Sequence, residues 1–177
     1  MVTSIKPLGQ PTDDGLSGSG EWRNVEWASV RGVVRRGYGV ASGRSTESEY
    51  YPRGAIELQA PKFRELGLDL SGYFLATLNI SIHPYIFKME HPQFTFRNVE
   101  WTPRHPPEHF SFSKCRLLFN KTLYEGWVYY PHPETKQRHF QQPDLIEVIA
   151  RKVAGIQYGD EVEVQVNPAE ILLVQPP

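Results

Sequence analysis

The sequence predicts a mainly β protein, a β-barrel with short helical inserts. Short apolar segments alternate with polar residues at a period of two, which is typical of strands with one buried face. Turn-forming residues separate these segments, and helical spacing is confined to short stretches. Hydrophobic residues make up 40% of the 177-residue chain and aromatic residues 12%, enough for the core of one domain. Closing such a sheet into a barrel protects its edges.

Composition sets the expected domain organisation. We expect residues 1–22 to form a flexible N-terminal tail, because Gly, Ser, Pro, Thr and Asp bury little surface. Residues 23–177 are then a single barrel domain.

Composition also excludes several classes of protein. Nucleic-acid-binding proteins usually carry an excess of basic residues, whereas the net charge of this chain is −1. No apolar run approaches the ~20 residues that span a bilayer, and no secretory signal is recognisable. We therefore expect a cytoplasmic protein without nucleic-acid or membrane partners; oligomeric state is not indicated.

The first half of the domain is predicted to contain a strand, a glycine-rich turn and a helix. The strand is expected over residues 25–34 and leads into the turn, residues 37–43. The short helix is expected over residues 61–66. Pro61 suits its first position and Gly67 the position just past its end.

The next predicted strand has the clearest alternation in the chain. Between residues 77 and 82, Leu78, Ile80 and Ile82 share one face, whereas Thr77 and Asn79 share the other. An irregular connection is expected over residues 84–109, with one strand near residues 94–99.

Further strands are predicted toward the C-terminus, together with a second helix. The strands are expected at 110–119, 123–130, 161–166 and 170–174, with Asn120 and Lys121 at the turn between the first two. Leu145, Ile149 and Val153 recur at helical spacing, with Gly155 as the stop signal.

The glycine-rich turn is a candidate phosphate-binding loop. Glycine lacks a Cβ, so the backbone N–H groups at Gly37 and Gly39 can approach phosphate oxygens, and Ala41 lies in the same turn. The alternative is an ordinary tight turn with glycines at positive φ. The segment lacks the Lys-Ser/Thr of a Walker loop and opens no long helix, which argues against the common nucleotide-binding motifs.

Thr77 and Asn79 are candidate magnesium ligands. Their hydroxyl and amide oxygens are hard donors of the type that Mg²⁺ accepts beside water and phosphate oxygens. They lie on one face of the strand, about 7 Å apart by the rise per residue. The alternative is a polar, solvent-facing strand edge.

Glu147 is the candidate catalytic base, since a carboxylate can accept a proton from a substrate hydroxyl. Asp144 and Glu147 also have the spacing of a capping box at the start of the predicted helix, and both interpretations stay open. Downstream of the strand pair, His132 and His139 flank a polar loop that would suit a lid.

The order of the motifs carries a resemblance to a known family. The motifs are Arg31-Gly32-Val33-Val34 before Gly37-Tyr38-Gly39, Ala76-Thr77-Leu78-Asn79, Glu125-Gly126-Trp127-Val128, His139, Glu147-Val148-Ile149-Ala150 and Gly159-Asp160-Glu161-Val162. In this order, over about residues 29–166, the chain resembles the archaeal-type CTP-dependent riboflavin kinases.

The resemblance implies a cradle-loop β-barrel that transfers the γ-phosphate of CTP to the 5′-hydroxyl of riboflavin and forms FMN. Gly37 and Gly39 would bind the nucleotide phosphates, Thr77 and Asn79 would hold Mg²⁺, and Glu147 would be the base. The aromatic residues Trp127, Tyr129 and Tyr130 are either flavin-stacking residues or part of the core.

Two other functions remain open at this point. The barrel could be a non-catalytic nucleotide- or flavin-binding module, or an interaction domain without a ligand. Ala76 stands where the family has glycine, and the segment between Ala150 and Gly159 is shorter than in the family. Both departures favour a module without catalysis.

Overall fold

The computed structural model describes residues 25–37, 54–136 and 142–176. The predicted tail, the glycine turn beyond Gly37, and His139 lie outside these residues. The strands are β1 (Ala28–Arg35), β2 (Leu78–Ser81), β3 (Ile86–Met89), β4 (Phe94–Val99), β5 (Glu108–Phe119), β6 (Thr122–Pro131), β7 (Leu145–Ala150), β8 (Glu161–Val166) and β9 (Ile171–Val174), and the helix is α1 (Ala55–Glu65). Within these ranges no helix has the length and apolar character needed to cross a membrane.

Six strands close into an antiparallel barrel, which confirms the predicted fold class. Their order is β5-β6-β7-β2-β1-β8, and β8 pairs back onto β5. The long strand β5 pairs with β6 throughout, with β4 in its first half and with β8 in its second half. Strands β3 and β9 form a separate two-stranded sheet.

Two hydrophobic clusters lie on opposite faces of the barrel wall. The inner cluster fills the barrel and comprises Val30, Val34, Ile80, Ile82, Cys115, Leu117, Phe119, Val128, Ile146, Val148, Ala150, Val162, Val164, Val166 and Ile171. The outer cluster lies between α1 and the outside of the wall and comprises Ile56, Phe63, Leu68, Leu70, Phe96, Val99, Phe110, Phe112, Trp127, Tyr129 and Ile149. Strands β5, β6 and β7 therefore bury side chains on both faces.

Burial on both faces explains why the predicted helix at residues 145–153 is wrong. This segment contains strand β7, in which Val148 belongs to the inner cluster and Ile149 to the outer cluster. A doubly buried strand has a continuous apolar sequence, which periodicity alone cannot distinguish from a helix. The helix-capping role of Asp144 and Glu147 is wrong for the same reason, since no helix starts there.

Helix α1 starts earlier than the sequence predicted. It runs from Ala55, so Pro61 lies inside the helix and not at its start. Ile56, Gln59 and Phe63 are buried on one side of the helix, and their spacing is that of an amphipathic helix. Gly54 caps the helix without a side-chain hydrogen bond, so the start carries no sequence signal of the usual kind.

Several local predictions are confirmed. Strand β4 has the predicted limits, and the hairpin between β5 and β6 turns at Asn120 and Lys121, which both have positive φ (47° and 63°). A two-residue hairpin turn of type I′ requires that conformation.

The connection predicted over residues 84–109 contains β3, a strand that was not expected. Its partner β9 is remote in sequence.

The reactivity of Cys115 tests the barrel interior. The side chain is 1% exposed, and burial raises the pKa of its thiol. Because the thiolate is the reactive form, we expect iodoacetamide at pH 8 to label the native protein at least about 100-fold more slowly than the guanidinium-unfolded chain. Mass spectrometry measures both rates without ambiguity, since the chain has 1 cysteine. Equal rates would contradict the placement of β5 in the barrel wall.

Candidate functional site

The predicted site residues come together where β1, β2 and β7 lie side by side. Arg35 of β1 is paired with Asn79 of β2, and Asn79 is paired in turn with Glu147 of β7. Directly paired residues of antiparallel strands project from the same face of a sheet, and Thr77 shares the face of Asn79 because it lies two residues away. Pairing of β2 with β7 therefore brings the candidate base to the candidate metal ligands.

The polar side chains of this set differ in burial. Asn79 is 9% exposed and Glu147 is 7% exposed, whereas Thr77 is half-buried. The Thr77 hydroxyl donates to Glu147 Oε1 over 3.4 Å, and burying polar groups costs free energy unless they are hydrogen-bonded. The solvent-facing alternative is wrong for Asn79, which lies against β7 and not in water. Thr77 keeps part of its surface in water.

Gly37 contacts this polar set directly. A Cβ atom built on Gly37 would lie 2.7 Å from Asn79 Cγ and 2.9 Å from Asn79 Oδ1. The backbone at the start of the glycine turn thus lies against the Asn79 amide, an approach that only glycine permits. Gly39 and Ala41 are outside the described residues, so their phosphate-binding role stays a prediction.

A cavity of about 200 Å³ opens beside Glu147. Three aromatic side chains line it, namely Phe87, Tyr129 and Tyr130. The rings of Phe87 and Tyr130 meet edge to face, with centroids 5.9 Å apart. Among the described lining residues Glu147 is the acidic one and Lys136 the basic one. Aromatic walls with a few charged groups are typical of sites for planar organic ligands.

Two of the three aromatic candidates belong to the core. Trp127 is 4% exposed, Tyr129 is 7% exposed, and both are in the outer cluster. Trp127 packs against Phe94 and does not line the cavity, so the core interpretation holds for it. Tyr129 lines the cavity from the outer cluster, and Tyr130 lines it as a half-buried residue.

A buried tyrosine connects the cavity to helix α1. The Tyr129 hydroxyl donates to Gln59 Oε1 over 3.0 Å, and both side chains are buried. Burial, followed by the negative charge of Glu147, raises the pKa of Tyr129 well above its usual value. The phenol therefore stays protonated beside Glu147. Gln59 was not predicted as a site residue, although a glutamine on the buried face of a helix is a detectable signal.

Thr77, Asn79 and Glu147 are the residues here that could hold a cation. They carry hydroxyl, amide and carboxylate oxygens, which are hard ligands of the kind that Mg²⁺ accepts. Within the described ranges no group of three or more His, Cys, Asp or Glu side chains has the arrangement of a metal site. A cation here would keep water and substrate oxygens among its ligands, which is how Mg²⁺ usually binds.

Comparisons with known proteins do not assign a function to this chain. No protein-family model matches the chain, and no curated protein matches it. Since a barrel fold by itself does not fix a function, the chemistry of the residues above is the basis for a proposal.

Replacing Gly37 tests its contact with Asn79. We expect Gly37→Ala to displace the Asn79 amide and to lower the free energy of unfolding by about 1–3 kcal/mol, as overpacking does. Denaturant unfolding measures the stability, and the Asn79 side-chain NH₂ signal in an NMR spectrum reports the displacement.

Gly72→Ala is the matched control. Among the described residues, a Cβ at Gly72 would meet Arg151 Nη1 alone, at 3.6 Å, which is an ordinary contact. An unshifted Asn79 signal in Gly37→Ala, with a stability equal to that of the control, would contradict the close approach.

Proposed function

We propose that this protein is a Mg²⁺-dependent small-molecule kinase that transfers the γ-phosphate of CTP to riboflavin and forms FMN. The observation that supports it is the meeting of Gly37, Thr77, Asn79 and Glu147 at one partly buried place beside an aromatic cavity. These residues belong to separate motifs of the sequence. The cradle-loop form of the barrel and the resemblance to the archaeal-type kinases belong to the same proposal.

Phosphoryl transfer depends mainly on positioning and on neutralising charge. Thr77 and Asn79 would hold the Mg²⁺, which neutralises phosphate charge when bound. The backbone N–H at Gly37 would orient the triphosphate, while the missing Cβ leaves room for the Asn79 amide that lies against it. In this proposal the phosphates lie next to the carboxylate of Glu147.

Glu147 would act as the general base. Its carboxylate accepts the proton of the riboflavin 5′-hydroxyl while the hydroxyl oxygen forms a bond to the γ-phosphorus. The bond between that phosphorus and the bridging oxygen breaks, and CDP leaves with the electron pair. The Thr77 hydroxyl, which donates to Glu147 Oε1, orients the carboxylate for this transfer.

The aromatic cavity would bind the acceptor. Phe87, Tyr129 and Tyr130 offer apolar surface to a flat ring, and aromatic pairs gain about 0.5–1.5 kcal/mol beyond the area that they bury. The volume of about 200 Å³ is below the usual ~300–1,000 Å³ of ligand pockets. In this proposal the cavity therefore holds part of the ring system, and the ribityl chain leads toward Glu147.

A non-catalytic flavin-binding module is the second candidate. It is favoured by the contact between Thr77 and Glu147, because a carboxylate that only stabilises the wall would make the same hydrogen bond. Such a module would use the aromatic cavity without needing Mg²⁺ or a nucleotide.

Calorimetric titration separates the two candidates. The wild-type protein is titrated with CTP, ATP and riboflavin, each with and without Mg²⁺. We expect Mg²⁺-dependent binding of CTP together with binding of riboflavin. Asn79→Ala should weaken Mg²⁺–CTP binding at least about 10-fold, as expected for loss of a buried charge-binding contact, and should leave riboflavin binding unchanged. Riboflavin binding without any nucleotide binding would support the module and contradict the kinase.

Substitution of Glu147 tests the base. We expect Glu147→Gln to bind both substrates and to form FMN about 10²–10⁴-fold more slowly than the wild type, the usual contribution of a general base. Chromatographic detection of FMN measures the rate.

Glu163→Gln is the control for this change, because Glu163 lies on β8 and bonds to Ser29 and Gln165. Its rate should equal that of the wild type. An unchanged rate in Glu147→Gln would remove the base from the mechanism.

A further inference from the structure

His132, which follows strand β6, is held at both ring nitrogens. Its Nε2 lies 2.7 Å from Ser111 Oγ, and its Nδ1 lies 2.9 Å from Glu134 Oε1. Ser111 Oγ is also 3.0 Å from Thr95 Oγ1. One line of polar side chains thus joins β4, β5 and the turn after β6. The His132 side chain is 17% exposed and Ser111 is buried, so water competes little for their contact, whereas Glu134 is 60% exposed.

The order serine, histidine and glutamate is that of the relay in many hydrolases. A nucleophile must reach its substrate, whereas Ser111 is 1% exposed and its hydroxyl is shared with Thr95. Attack by Ser111 is therefore ruled out by burial. The contacts with Ser111 and Glu134 fix the position and the rotation of the His132 ring.

The backbone around His132 is fixed as firmly as its ring. The His132 carbonyl accepts from the N–H groups of Thr135 and Lys136, each over 3.1 Å. The His132 N–H donates to the carbonyl of His109, and the His109 N–H donates to Thr135 Oγ1 over 2.9 Å. The turn at residues 132–136 is thus tied to β5, and Lys136 is tied to His132.

This turn forms part of the cavity beside Glu147. Pro133 and Lys136 line that cavity. The His132 ring also lies 5.4 Å from the ring of Tyr130, another lining residue. His132 therefore contacts an aromatic wall of the cavity with its ring, and it holds a cationic residue of the cavity with its carbonyl.

We propose that His132 is a positioning residue that sets Lys136 to bind the transferred phosphate, and that Lys136 makes the site prefer a phosphorylated flavin to a neutral one. The inference rests on the proposed function, because the phosphate is that of the proposed reaction. An ammonium group binds phosphate as a point charge. FMN carries this phosphate and riboflavin does not. The ratio of their dissociation constants therefore measures the contribution of Lys136 to phosphate binding.

The test compares the dissociation constants of FMN and riboflavin by quenching of flavin fluorescence. We expect the wild type to bind FMN at least about 10-fold more tightly, the usual size of a charge-assisted contact. Lys136→Ala should bring the ratio close to one while riboflavin affinity is retained. His132→Ala keeps the carbonyl but frees the turn from Ser111 and Glu134, so it should lower the ratio toward one. The double variant should lose no more than Lys136→Ala alone, because His132 acts through Lys136.

His105→Ala is the matched control, since the His105 ring packs against Trp101 and does not line the cavity. Ser111→Ala is a milder variant that leaves the His132 ring in place and removes the contacts of Ser111 Oγ to His132 Nε2 and to Thr95 Oγ1. It keeps the test valid if His132→Ala does not fold. It should lower the ratio of the two constants, and the His105 control should not.

Three results would overturn the inference alone: wild type without a preference for FMN, equal weakening of both flavins by His132→Ala, or additive effects in the double variant. Equal weakening of both flavins by His132→Ala would show that His132 has only a structural role. Binding of neither flavin by the wild type would overturn both the inference and the proposed function.

Discussion

The pairing of β5 with β8 is the constraint on which the rest of the structure depends. Cys115 to Leu118 of β5 lie opposite Glu163 to Val166 of β8, and this ladder converts a twisted sheet into a closed barrel. Closure satisfies the backbone groups that two edge strands would expose. It also encloses the inner cluster, whose burial is the dominant favourable term in folding. Because β5 exchanges β4 for β8 along its length, its first half lies outside the closing ladder and contributes Phe110 and Phe112 to the outer cluster.

The strands that sequence predicted are those whose apolar residues alternate or whose turn is encoded locally. Strand β8 alternates along Glu161–Val166, and the turn at Asn120 and Lys121 joins β5 to β6. Strand β7 was not predicted, since burial of its two faces in two clusters gives a continuous apolar sequence. Strand β3 was not predicted either, because its four residues show no alternation and pair with the remote strand β9. Register between remote segments is not encoded in any local pattern.

The candidate site was predictable as a set of residues and not as an arrangement. Hard oxygen donors and a glycine turn can be recognised from chemistry alone, which is how Gly37, Thr77 and Asn79 were selected. Thr77 and Asn79 reach Glu147 only because β2 pairs with β7, and that pairing could not be predicted from the sequence. The bond from Tyr129 to Gln59 and the contacts of His132 join segments far apart in sequence. Such side chains look ordinary in the sequence because their roles arise only from tertiary proximity.

The alternating faces of β7 have a consequence for how this barrel tolerates change. If β7 shifted by one residue against β2, every side chain would move to the opposite face. Glu147 would then enter the barrel interior, where a carboxylate surrounded by Ile80 and its neighbours is strongly disfavoured. The buried carboxylate thus selects one strand alignment during folding. A barrel that lost this charge would lose that selection as well, so a neutral residue at position 147 would carry a cost in folding fidelity.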